Sequence, residues 1–413
     1  MRIALVSYHT CPLARLGGRF SGGLNVYVRE SARELARQGF AVDIFTAAHR
    51  GEGERVSRVG PGLRLIHLPV EGASGGPPSR AVLYAAHRAF AGGIRRFARS
   101  RGVEYDLVHA HYWLSGLVGL ELKRAWNVPL VAMFHTLALV KHQARVGEDE
   151  PPERVEAEAR IIAGADAVVA ATEQEKSLLA RLYGAPAHRV AVIPCGVDLR
   201  LFRPRDPRLA RRRLALPPDK RLILYVGRLD PLKGLDLLLR ALARLEDRGN
   251  VELVVVGGDR RPTAERRRLE SLARELGLEG TVRFVGPVAH AQLPWYFSAA
   301  AVTVVPSYHE SFGLVALESL ACGTPVIAAR VGGLARTVVD GLNGYLVAWH
   351  CPEAFTERLE LLLGNEGLRR RLAAQARPSV QAFTWPEVTR RLINLYATLT
   401  AAPGGACAAP LSG

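Results

Sequence analysis

Glu310 and Glu318 lie eight residues apart in the segment Glu-Ser-Phe-Gly-Leu-Val-Ala-Leu-Glu. Between them, Phe312-Gly313-Leu314 reads as a tight turn opening an apolar helical run. Upstream, Val302–Val305 reads as a buried strand that ends at Pro306. The expected arrangement is a strand, a loop carrying one acid, and a helix carrying the other. Free amides at such a helix start suit a phosphate. The first carboxylate would then meet a sugar hydroxyl, and the second, roughly a helical turn deeper, a ribose diol. Two ordinary acids on a solvated helix would show the same spacing.

Other loops carry complementary chemistry. Gly227-Arg228-Leu229-Asp230-Pro231-Leu232-Lys233-Gly234 follows a strand, so Arg228 and Lys233 would project as two cations from one loop. Fixed cations opposite a helix start offset the charge that grows on a departing diphosphate. Near the N-terminus, His9 precedes Gly17-Gly18 and Gly22-Gly23-Leu24-Asn25, and the last of these opens a helix. Glycines there let the backbone approach a ligand closely, although a glycine pair before a helix is also an ordinary tight turn. His109-Ala110-His111-Tyr112-Trp113 and Phe134-His135-Thr136 both sit at strand ends. No nearby acid completes a metal set, so hydrogen bonding to a sugar is the better use of these imidazoles. Arg154 offers one further phosphate contact. Neither G-x-G-x-x-G nor G-x-x-x-x-G-K-[ST] occurs, which argues against a dinucleotide dehydrogenase and a P-loop kinase.

These loops must be held by two parallel sheets. Short Val/Ile/Leu runs at 3–6, 42–46, 63–68, 107–110, 130–134, 167–171 and 190–193 alternate with helical stretches. The pattern restarts at 222–226, 251–256, 282–285, 302–305 and 326–329. Continuous apolar strands separated by helices imply parallel sheets covered on both faces. The expected fold is α/β, with two doubly wound, Rossmann-like domains facing across a cleft. We place the first domain at residues 1–197, with a final helix near 385–400, and the second at 198–384. Residues 401–413, rich in Ala, Pro and Gly, are expected to be a disordered tail. Ligands of open parallel sheets bind beyond the carboxyl ends of the strands, so the cleft is where the loops converge.

At 413 residues the chain is too long for one core. No apolar run approaches the ~18 residues that span a bilayer, and five scattered cysteines without a C-x-x-C pair support neither a disulfide framework nor a structural zinc site. A cytoplasmic enzyme is expected. The net charge of +16 rests mostly on arginine, in triplets such as Arg211-Arg212-Arg213 with no aromatic residues interleaved. That pattern gives no support to nucleic-acid binding and leaves peripheral membrane contact open.

Taken together, the Gly-Gly loop, the Gly-Arg…Lys-Gly loop, the paired glutamates and the closing Trp385 helix resemble the retaining glycosyltransferases of family four, which have the GT-B fold. The resemblance runs from Met1 to about Leu399. Within the family it is greatest to members that glycosylate an inositol phosphate, through Ser7–Ala14, Gly22–Val28, His109–Gly116, Phe134–Ala138 and Pro306–Leu314. It implies transfer of a hexosyl group, best N-acetylglucosamine from UDP, to a small phosphorylated polyol such as D-inositol 3-phosphate. The alternatives are a sucrose-phosphate-synthase type of reaction or a lipid-linked or glycan acceptor at a membrane surface. By resemblance, Gly23, Arg228, Lys233, Val288, Glu310, Phe312, Gly313, Leu314 and Glu318 bind the donor. His9, Asn25, Tyr112, Thr136 and Arg154 bind the acceptor, and His135, Arg228, Lys233 and Glu310 serve catalysis. No cofactor or metal is required, Mg²⁺ is neither implied nor ruled out, and a homodimer stays open. Two positions depart from the family pattern. The lysine that holds the acceptor phosphate is missing from Glu71–Gly76, with Arg80 the nearest cation, and Ala301 stands where aspartate is frequent.

Overall fold

The computed structural model describes residues 1–14, 22–48, 52–70, 78–143, 150–259, 263–348 and 350–401. Gly17-Gly18, the segment Glu71–Gly76 and the tail beyond Ala401 lie outside the described residues.

Fourteen strands among the described residues form two sheets. The first contains β1 (Arg2–Val6), β2 (Ala41–Ala47), β3 (Arg55–Gly60), β4 (Leu63–Leu68), β5 (Leu107–His111), β6 (Leu130–Met133), β7 (Ala167–Ala170) and β8 (Val190–Val192). Their spatial order is β3-β4-β2-β1-β5-β6-β7-β8. The second contains β9 (Arg221–Val226), β10 (Val251–Val256), β11 (Val282–Gly286), β12 (Val302–Val305), β13 (Val326–Ala329) and β14 (Gly344–Val347), in the order β11-β10-β9-β12-β13-β14. Every pairing is parallel except that of β3 with β4.

All the strands expected from apolar runs are present. Two others were not anticipated, for different reasons. β3 (Arg-Val-Ser-Arg-Val-Gly) is an exposed edge hairpin partner and so has no apolar run to betray it. β14 (Gly-Tyr-Leu-Val) opens on glycine and keeps only two aliphatic residues, so it shows no Val/Ile/Leu run.

In each sheet the order reverses beside the first strand of the series. β1 lies between β2 and β5, and β9 lies between β10 and β12. Loops leaving the carboxyl ends of these central strands diverge to opposite sides and leave a crevice. The loop after β1 enters helix α1 (Gly23–Arg37), and the loop after β5 enters α3 (Trp113–Trp126). Between them lies α2 (Arg80–Ser100), and after β6 come α4 (Ala138–Gln143) and α5 (Pro152–Gly164).

The helix Trp385–Ala401 returns to pack against α1, and its Tyr396 hydroxyl meets His109 Nδ1 at 2.7 Å. The outward and returning chain segments run side by side: Val197 N–H donates to the Phe383 carbonyl at 2.8 Å, and Val197 bridges Thr384. A Cβ on Gly196 would stand 2.8 Å from the Trp385 ring, so the crossing requires glycine there.

Candidate active site

On the second-sheet side, the chain leaves β9 through Gly227 and Arg228. The Tyr225 hydroxyl donates to the Arg228 carbonyl at 2.9 Å, and Asp230 Oδ1 accepts from Leu232 N–H at 3.0 Å. These bonds fix a 3₁₀ turn, Pro231–Lys233, which ends in Gly234 at φ +66. A Cβ at Gly234 would run into the Pro306 carbonyl oxygen, so this glycine lets the β9 loop lie directly on the β12 loop. Lys233 Nζ is thereby brought to 2.6 Å from Glu310 Oε2. Arg228, by contrast, pairs with Asp230 at 3.2 Å and does not join that contact.

Gly313 caps the helix Leu314–Ala321 in the left-handed region at φ +91. The first hydrogen bonds to its carbonyl come from Ala316 and Leu317. The amides of Leu314 and Val315 therefore have no intrahelical partner at the positive end of the helix, and its capping Gly313 adjoins Glu310, whose Cγ would lie 3.6 Å from a Cβ built there. Phe312 is buried edge-on to Phe383, and Val288 packs on the core rather than into the Lys233–Glu310 contact. Glu318 is buried one turn further along and accepts from or pairs with His290 Nε2 at 2.6 Å, while His290 Nδ1 lies 3.3 Å from Arg29 Nη2 on α1. Neither His290 nor Arg29 belongs to a readable motif, and only the fold brings them to Glu318.

On the first-sheet side the polar groups are enclosed and mutually engaged. Asn25 caps the start of α1: its Oδ1 accepts from Gly22 N–H at 2.9 Å, and its Nδ2 donates to Thr10 Oγ1 and the Cys11 carbonyl at 2.9 and 2.8 Å. Its amide is thus committed to holding the loop after β1. Tyr112 (φ +78) and His135 (φ +62) are non-glycine residues in the left-handed region, a conformation found at ligand-binding turns. His135 Nε2 lies 3.0 Å from His111 Nδ1. Burial holds His109 and His135 down at about 3 and His111 well below the ordinary imidazole range, so the cluster is neutral near pH 7. Burial, followed by the charges of Arg80 and Arg154, likewise holds His9 at about 3.

Arg154 is only 1 % exposed. It donates to Glu158 at 2.7 Å, pairs with Glu150 at 2.7 Å, and donates to the Thr136 carbonyl and hydroxyl at 2.7 and 3.0 Å. Its guanidinium lies 5.0 Å from the centre of the Tyr112 ring. The residue expected to offer a free phosphate contact is here saturated by protein partners. Glu150, Arg154 and Glu158 are spaced four and four apart, as helix-surface ion pairs are, but here all three are buried.

The two sides meet. Ser311 Oγ donates to the His135 carbonyl, a Cβ on Gly22 would lie 4.0 Å from Arg228 Nε, and one on Gly23 would lie 3.3 Å from Leu314. Below this contact a cleft is lined by Glu30, Asp198, His290, Glu318 and Trp385, among others. Among the described residues no group of three or more His, Cys, Asp or Glu converges to hold a metal ion, and no helix is long and apolar enough to cross a membrane.

Residues 207–378 match the family described as Glycosyl transferases group 1, and residues 21–201 match Glycosyltransferase Family 4. The chain belongs to the family-four glycosyltransferases. It is 45% identical to D-inositol 3-phosphate glycosyltransferase of Xylanimonas cellulosilytica, covering 97% of each chain, and 39% identical to that of Corynebacterium glutamicum, covering 96% of each. Among solved structures, sucrose-phosphate synthase from Thermosynechococcus elongatus superposes with a TM-score of 0.89 at 37% identity, covering 97% of this chain and all of that one. Anabaena HepE in complex with UDP-glucose shares the fold, with a TM-score of 0.75 at 20% identity over 97% of this chain and all of its own. The architecture is GT-B and the protein is a glycosyltransferase.

Proposed function

We propose that this glycosyltransferase moves N-acetylglucosamine from UDP to D-inositol 3-phosphate with retention of anomeric configuration. The observation that carries the donor half is the Lys233–Glu310 pair at the free amides of the Gly313-capped helix. It joins a cation, an anion-favouring helix end and a sugar-sized acceptor group within one small space. The acceptor half is supported by relatives of that name at 39–45% identity along nearly the whole chain.

In this reading, the domains are residues 1–197 with the returning helix for the acceptor, and 198–384 for the donor. Lys233, Arg228 and the amides of Leu314 and Val315 stabilise the departing diphosphate. The bond from the sugar C1 to the diphosphate oxygen breaks, and its electron pair leaves with UDP. The acceptor hydroxyl oxygen bonds C1 from the same face, and its proton passes to the departing phosphate oxygen. Glu310, with its charge offset by Lys233, holds a sugar hydroxyl rather than attacking C1. Glu318 accepts from the ribose diol once His290 yields it. The neutral His135 and the loops at Asn25, Tyr112 and Thr136 orient the acceptor, and closure of the cleft keeps water from the donor.

The structural likeness to a sucrose-phosphate synthase favours a second reading, a phosphorylated sugar as acceptor. A panel of UDP- and ADP-sugars against D-inositol 3-phosphate and fructose 6-phosphate separates the two. Product mass should show an inositol phosphate adduct, and its NMR coupling an axial anomeric bond. A fructose phosphate adduct alone overturns the inositol reading.

A further inference from the structure

His135 is held at both ends. Strands β5 and β6 run parallel with His111 opposite Met133, and the chain leaves β6 to reach His135 two residues later. There the ring Nε2 lies 3.0 Å from His111 Nδ1, while the backbone carbonyl accepts from Ser311 Oγ, beside Glu310. The second ring nitrogen of His135, Nδ1, takes no partner from the described residues and is not sealed, since the residue keeps partial exposure. His111 is different. It is fully buried, its ring lies 4.2 Å from that of His109 and 5.6 Å from that of Tyr27, and its Nε2 is sealed without a hydrogen-bond partner. His109 cannot turn to meet it, because its own Nδ1 is engaged by the Tyr396 hydroxyl of the returning helix.

Burial keeps both rings neutral near pH 7, so each carries one proton on one nitrogen. The bond between them then has two settings. In the first, His111 Nδ1–H donates to a bare His135 Nε2. The sealed His111 Nε2 is then only an unused lone pair, and His135 carries its proton on Nδ1. In the second, His135 Nε2–H donates to His111 Nδ1. His111 must then carry its proton on Nε2, sealed where no acceptor meets it. Orphaned buried N–H groups are rare, and unused acceptors less so. The first setting is favoured, and its consequence falls on the other side of the pair: the His135 nitrogen left to the cleft is a donor with no lone pair to take a proton.

We infer that His111 is a positioning residue that fixes His135 as the Nδ1–H tautomer, so that His135 offers the substrates a hydrogen-bond donor and cannot act as a general base. This rests on the reading that sugar transfer takes place between His135 and Glu310, and it deepens that reading. The proton of the acceptor hydroxyl has no imidazole to receive it, which leaves the departing phosphate oxygen as its destination. A neutral N–H held in place before the reaction stabilises negative charge as it develops, without reorganising when the bond breaks. The ring nitrogen that bonds His111 decides which nitrogen of His135 is protonated, as a partner on one side of an imidazole does generally.

The test reads the tautomer directly. Long-range proton–nitrogen NMR correlations on the full-length protein, labelled at histidine nitrogens and free of ligand, distinguish a protonated ring nitrogen from a bare one. The His135 signals are assigned by their loss in His135→Ala. The expected result is a proton on Nδ1 and a bare Nε2, and a proton on Nε2 overturns the inference. His111→Leu removes the donor. It should shift the His135 proton in part to Nε2 and lower kcat/KM about tenfold, in kcat rather than KM. In a His135→Ala background the same substitution should have little further effect, because it acts through that ring. Effects that multiply in full would make His111 a packing residue and overturn the inference. Should His111→Leu lose its cooperative melt, the tautomer of the wild type decides alone. A protein with the Nδ1–H tautomer that does not glycosylate D-inositol 3-phosphate supports the inference and removes only the proposed acceptor.

Discussion

The two walls of the cleft are built on different physical terms. On the second-sheet wall the contacts are partly wet: Lys233 and Glu310 are 22% and 18% exposed, and Arg228, 37% exposed, pairs with Asp230. On the first-sheet wall, Arg154 and Glu158 are essentially sealed, Asn25 has spent its amide, and the imidazoles of His109, His111 and His135 are kept neutral by burial. The first kind of wall is open enough to solvent to exchange its partners for a ligand more readily than a sealed ion pair. The second is part of the core, and its charges are tied to the stability of the fold. Donor-side substitutions should therefore affect rate, and acceptor-side substitutions should affect folding as well.

The largest expected effect breaks the sealed wall. Arg154→Met strands the buried Glu158 without its cation, leaves Glu150 to Lys141 and Arg80 alone, and should cost ~3–5 kcal/mol, read as a fall in the urea midpoint. A midpoint within error of wild type would mean that the two walls do not differ in kind. Next, Lys233→Ala and Glu310→Ala should each lower kcat/KM about 10²–10³-fold, with thermal midpoints near wild type. A large loss of stability without loss of rate would reverse the assignment of that wall.

Acid sharpens the same contrast. The fully buried His109 and His111 titrate in the fold well below the ~6.5 of an unfolded chain. The unfolded state then binds more protons, so the stability they contribute is intact above ~6.5 and lost as pH falls toward ~3, at up to about 1.4 kcal/mol per pH unit each. Glu175, pushed up to about 7 by burial, acts in the opposite sense, since its contribution is lost as pH rises toward that value, but it is one group against five imidazoles held low, His9, His109, His111, His135 and His309. Thermal midpoints should drop between pH 6.5 and 4, and a flat profile there would show these imidazoles to be solvated. The smallest effect concerns closure. Arg29→Ala and Ser311→Ala each remove one contact between the walls, at His290 and at the His135 carbonyl. Each loss is on the order of 1 kcal/mol, visible as a modest increase in radius of gyration by solution scattering without ligand.

The same division governs what the sequence disclosed. Strands buried on both faces announce themselves as Val/Ile runs, so twelve of the fourteen described strands were legible, while the solvent-edge β3 and the Gly-Tyr-Leu-Val of β14 were not. Glu310, Lys233 and Gly313 were legible because strand ends and glycine-opened helices leave marks in linear order. Their meeting at 2.6 Å required the fold. His290 and Arg29 carry no local signature, and Ser311, although inside the Glu-Ser-Phe-Gly segment, shows its contact to His135 only in the fold. Glu150 was hidden differently: it sits in an acidic run that reads as solvent-facing, and only Arg80 and Lys141, 70 and 9 residues away, reveal it as a buried anion.

The most direct test is release of UDP from UDP-N-acetylglucosamine with and without D-inositol 3-phosphate, in wild type and in Lys233→Ala. Release that depends on the acceptor and is lost in the variant is the predicted result. Equal release with and without acceptor, or full activity in Lys233→Ala, would contradict the account.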